Sequence, residues 1–171
     1  MYINTSLFVV CMKLAHKVKL CVFCKEHEDA AGIADALISL VPFDLGKEKI
    51  ELRKTKALGF NEKQILIFEL VLSQQRHVRL FMDNLKAILS EDQCDLLLRQ
   101  KGSRLDDGMN FFIRLDKPRW LEERRAWITD SGDCFHIRIT VAAYPANKEN
   151  GLRTVDAWLH EPGQWVSRPP S

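Results

Sequence analysis

The chain has 171 residues, a formal net charge of +2, and 46% apolar and 28% charged residues. That length suits one domain able to bury a core. The near-neutral balance excludes a global pull on nucleic acid or membranes, so any polyanion site must be a local patch. Five cysteines, an odd number without small-scaffold spacing, argue against a disulfide framework and for a reducing compartment. No apolar run approaches the roughly 20 residues of a membrane helix.

Residues 1–11 read as an amino-terminal extension. The apolar stretch 7–12 lacks both a basic start and a small-residue cleavage site, and Met12 is a candidate true start. His16, Val18, Leu20, Val22 and Cys24 then alternate with Lys17, Lys19, Cys21 and Phe23, which predicts a strand with a basic second face. Glu28 and Asp29 open a helix with Ile33, Ala34, Leu37, Leu40 and Val41 buried, and Pro42 stops it. Residues 47–58 read as an edge strand. Gly59 and Asn61 supply turn chemistry, and 64–72 returns as an apolar strand to close a hairpin.

Ser73 is the expected cap of the next helix, which turns Val78, Phe81, Met82, Leu85 and Leu89 inward. Ser90 and Gln93 form a capping-box pattern for a second helix, packed by Leu96, Leu97 and Leu98 and ending near Gly102. Residues 109–115 alternate as a strand that Asp116-Lys117-Pro118 ends. A short strand or irregular connection is expected over 120–129, then a turn over 130–133. Phe135, Ile137, Ile139 and Val141 share one face of the last strand, with His136, Arg138 and Thr140 on the other. After Tyr144-Pro145, Asn147 can cap a helix carrying Leu152, Val155 and Leu159. The proline-bearing tail 161–171 reads as disordered. Strands in adjacent pairs predict a single α+β domain over 12–160, with a mostly antiparallel sheet and helices packed on one face.

Catalytic and metal motifs are weak. Cys21-x-x-Cys24 sits in a strand, where an odd separation sends the side chains to opposite faces, so the pair cannot clamp one zinc. No nucleophile elbow, Walker loop or dinucleotide fingerprint occurs. Asp106-Asp107 and Glu122-Glu123 read as solvated charge, and His136 has no identifiable nucleophile beside it. No cofactor and no metal are expected. The basic residues carry more. Lys13, Lys17, Lys19 and Lys25 meet no acid until Glu26. Arg114, Lys117, Arg119, Arg124 and Arg125 gather near one strand end, and His136 and Arg138 share a face. If these strands are neighbours, the face is locally cationic, with Phe23 and Phe112 available to stack on bases. The plain alternative is a solvated face with cross-strand ion pairs.

Three blocks, AHKVKLCVFCKEHED from Ala15, FFIRLDK from Phe111 and FHIRITVAAYPANKEN from Phe135, resemble in order and spacing an archaeal family described as RNA-binding and as a predicted exosome subunit. Its fold is similar to that of the large-subunit ribosomal protein numbered five. The resemblance spans roughly residues 12–159. It departs at ALGFNEKQ, where the family tends to carry a glycine- and histidine-rich turn, and at Lys117-Pro118-Arg119-Trp120, where a glutamine and a small residue usually follow the lysine. The resemblance implies a non-enzymatic RNA-binding protein of the archaeal cytoplasm, acting beside the exosome or in ribosomal RNA handling. Its expected partners are single-stranded or structured RNA and exosome subunits, with no membrane association and an oligomeric state left open, a dimer included. Lys17, Lys19, Arg114, Lys117 and Arg138 would contact phosphates, and His136 with an exposed aromatic would add hydrogen bonding or stacking. The alternative is a protein-interaction module without direct RNA binding. A third reading is an enzyme on a small nucleotide or phosphate ester, with His136 as its base.

Overall fold

A computed structural model describes residues 13–160, so the expectations for the extension 1–11 and the tail 161–171 lie outside the described residues. The sheet has five strands in the order β2-β3-β1-β5-β4: β1 (Ala15–Lys25), β2 (Arg53–Leu58), β3 (Gln64–Leu72), β4 (Asn110–Asp116) and β5 (Cys134–Val141). Every neighbouring pair is antiparallel. Period-two patterning sends Val18, Leu20 and Val22 of β1, Phe68, Leu70 and Leu72 of β3, and Phe135, Ile137 and Ile139 of β5 into one continuous core. Helices α1 (Ala30–Ile38), α2 (Gln75–Ile88), α3 (Glu91–Arg104), α4 (Lys117–Glu123) and α5 (Lys148–His160), with a 3-10 turn at Phe60–Glu62 between β2 and β3, complete the described fold. Their apolar stripes, such as Val78, Phe81, Met82 and Leu85 of α2, join that core. Among the described residues no helix covers the opposite sheet face, called the bare face below. This is the α+β arrangement that the order of elements predicts.

Several local expectations are corrected. Ala15, not His16, is buried at the start of β1, because a bulge between Ala15 and Lys17 shifts the pleat by one residue. Only Arg53–Leu58 of the expected 47–58 strand is extended. Its first part is a series of turns that brings the Glu48 carboxylate to Arg76 and to buried His77, 2.8 Å from the imidazole. Ser73 does not cap α2; Gln74 holds that position without a side-chain bond. Ser90 does cap α3, accepting from the Gln93 N–H at 3.4 Å. The Gln93 side chain turns away from the box, donating to Ala126 O and accepting from Ile128 N–H, both at 3.0 Å. Gly102 lies within α3 rather than at its end. The connection expected over 120–129 begins as α4. Asp116 accepts from the Arg119 N–H, and Pro118 sits in the first turn, where a missing amide costs little. Trp120 anchors α4 by donating its indole N–H to Ala36 O at 2.9 Å.

Candidate nucleic-acid interface

Alternation places the odd-numbered residues of β1 and the even-numbered residues of β4 and β5 on the bare face. Register then sets them in rows across three strands. One row runs Cys21, His136, Arg114, and the next Lys19, Arg138, Phe112. Lys17 lies opposite Thr140 and Asn110 one step further along. Four predicted site residues, Lys19, Arg114, His136 and Arg138, thus line one depression of about 310 Å³. Phe23 and Phe112 stand out of the same face, 41% and 40% exposed, an unusual setting for large apolar rings.

The charges differ in availability. Arg138 is exposed and forms no salt bridge among the described residues. Arg114 donates to the Asp130 carbonyl at 3.0 Å, which orients the guanidinium without neutralising it. Lys19 is paired with Glu69 of β3. This is a cross-strand ion pair of the kind the plain alternative expects; which acid makes it is set by register, which brings Glu69 beside Cys21. His136 packs edge-on against Phe23, ring centroids 5.5 Å apart. Partial burial and then the Arg114 charge hold its imidazole below the ordinary value of 6.5, so it is neutral at pH 7.

Lys117 is the correction among the predicted contacts. Instead of facing a phosphate, it is buried at 1% exposure. Its ammonium donates to Phe23 O at 2.8 Å and to Glu28 Oε2 at 2.9 Å, and lies 3.5 Å from Asp133 Oδ1. The helical start of α4 turns its side chain under the sheet end, where a buried cation must be paired. Lys117 therefore braces the backbone that carries Phe23.

The chemistry of catalysis is poorly served here. Cys134 Sγ lies 3.5 Å from His136 Nε2. Burial pushes the thiol up, as it pushes the imidazole down, which is the reverse of an activated thiolate–imidazolium pair. Cys24 is buried in the core while Cys21 lies on the bare face; the two side chains diverge as strand geometry requires. Among the described residues no group of three or more His, Cys, Asp or Glu is placed to hold a metal ion, and no helix is long and apolar enough to cross a membrane.

The RNA-binding protein PAB1135 of Pyrococcus abyssi is 28% identical over 146 residues, covering 85% of this chain and 94% of that protein. A DUF54 protein structure from Archaeglobus fulgidus superposes with a TM-score of 0.75 at 22% identity, covering 84% of this chain and 99% of the other. A DUF54 protein from Methanothermobacter thermautotrophicus gives a TM-score of 0.70 at 26% identity, covering 85% and 98% respectively. A family model described as RNA binding matches residues 17–142, from Lys17 of β1 to one residue past the end of β5, and the chain belongs to that RNA-binding family.

Proposed function

We propose that this chain binds RNA without catalysis, through the bare face of its sheet. The observation that supports this best is the adjacency of Lys19, Arg138, Arg114 and His136 on three neighbouring strands, beside two exposed phenylalanines. Lys17, Arg114 and Arg138 contact phosphates, and Lys19 joins them by exchanging Glu69 for a phosphate. Phe23 and Phe112 stack on bases, and His136 offers a neutral ring nitrogen for hydrogen bonding. Work beside the RNA-degrading exosome in an archaeal cytoplasm extends this reading, and co-purification of exosome subunits with the tagged chain tests that extension.

Fluorescence anisotropy with labelled RNA across a salt series tests the binding itself. The expected result is micromolar or tighter binding that falls steeply with salt. Arg114→Gln and Arg138→Gln should each lower the log–log salt slope by about one. Unchanged affinity and slope in both variants would remove the face from consideration. One observation favours a protein partner instead: at the β2–β3 hairpin tip Leu58 is 76% and Phe60 99% exposed. No RNA binding at low salt, with salt-tolerant self-association or capture of a protein, would favour that alternative.

A further inference from the structure

Outside β4 the chain adds a fragment of a sixth strand. The Asp116 N–H donates to Trp127 O at 2.8 Å, and the Thr129 N–H donates to Arg114 O at 2.9 Å. Between them, Ile128 bridges to Leu115 and is 5% exposed, turned into the core. Alternation then sends Trp127 to the bare-face side, where it is 39% exposed. The guanidinium carbon of Arg119 lies 4.2 Å from the Trp127 ring centroid, and that of Arg125 lies 6.0 Å away. Both arginines are exposed, and neither forms a salt bridge among the described residues, although Glu122 and Glu123 stand between them in the sequence. A surface cation–π contact accounts for one arginine resting on an indole. It does not account for a second guanidinium at the same ring with no carboxylate partner among the described residues, nor for the position of the group directly beyond Arg114.

We infer that Arg119, Arg125 and Trp127 form a second RNA contact, which carries the strand off the edge of the sheet and requires it to be single-stranded there. The inference rests on the RNA-binding reading of the bare face. An indole stacks on a base only where that base has left its neighbours, so the ring selects an unpaired segment, while the two guanidiniums take the flanking phosphates. Three strand spacings separate Phe23 on β1 from Trp127, about 14 Å along the sheet. That distance is about two to three nucleotides of extended single strand, so a dinucleotide is held by the sheet face alone and a longer strand reaches the outer contact.

The test uses the full chain with a uridine dinucleotide, too short to span the two contacts, and an oligouridylate of about 12 nucleotides, within the range bound by small single-strand-binding domains. Trp127→Ala should weaken the longer RNA about tenfold and leave the shorter one unchanged. Trp127→Phe should keep most of the longer RNA's affinity. The double variant Arg119→Gln, Arg125→Gln should lower its salt slope by about two. Circular dichroism confirms that the variants are folded. Equal losses at both lengths, or no loss at either, would overturn the outer contact. Wild-type binding of a duplex hairpin in preference to the longer oligouridylate, unaffected by Trp127→Ala, would overturn it while leaving the RNA reading intact. No binding of any RNA by the wild type would overturn both.

Discussion

Replacing Lys117 with methionine separates a brace from a binding residue. The substitution keeps most of the side-chain volume and removes the ammonium, leaving Phe23 O without its donor and Glu28 and Asp133 without their shared cation. Removing one partner of a buried ion pair costs about 3–5 kcal/mol, and the low end applies here. The two acids are 21% and 30% exposed, and Lys25 still holds Asp133 at 2.5 Å. A loss of about 3 kcal/mol lowers the melting temperature of a chain this size by about 9 °C. The loss also depends on pH. Burial alone would raise both carboxyls, but the Lys25 N–H and Lys117 hold Glu28 below 4.5, and Lys25 with Lys117 holds Asp133 below 3.8. A carboxylate depressed in the fold contributes stability above its unfolded value and loses it as pH falls through its folded value. The gap between wild type and Lys117→Met should therefore be full above about pH 5 and shrink in more acidic solution. Urea unfolding at neutral and acid pH measures it. Equal stability at pH 7 would refute the brace, and a salt slope for RNA lowered by about one in a fully stable variant would show that Lys117 meets a phosphate after all.

Two further outcomes are expected. His136 titrates below 6.5 in the fold, so its contribution to stability is present above that value and declines as pH falls. Bound phosphates favour the protonated ring, so RNA affinity should rise below pH 6.5 in the wild type and be flatter in His136→Gln; parallel profiles would place His136 away from the RNA. Gln93→Ala strips partners from the buried Ala126 O and Ile128 N–H. It should cost about 3 kcal/mol, or about 9 °C of melting temperature. A melting temperature within a degree of wild type would mean that those groups find other partners.

How much of the site was legible follows from the range of each interaction. The alternation of Lys17, Lys19 and Phe23, and of His136 and Arg138, is a local pattern, and it assigns those residues correctly to one face of each strand. The capping serine at Ser90 and Asn147 before α5 are equally local; the Asn147 carboxamide oxygen accepts from the Asn150 N–H at 2.9 Å. The reading failed where a side chain had two local options and a distant partner chose between them. Gln93 matches a capping box, yet two buried backbone groups thirty-odd residues away claim its amide. Asp116-Lys117-Pro118 ends a strand, yet the same residues start a helix once Trp120 can reach Ala36.

By itself the sequence determined the class of fold, the strand faces and the family, because hydrophobic periodicity, caps and ordered motifs are carried by residues close in the chain. Tertiary structure alone decided which charges meet. It placed Lys19 beside Glu69, sent Lys117 under the sheet, and brought Trp127 to two arginines at the edge of β4. Those outcomes depend on strand order and register, and a shift of one residue would turn every one of those strand side chains to the other face.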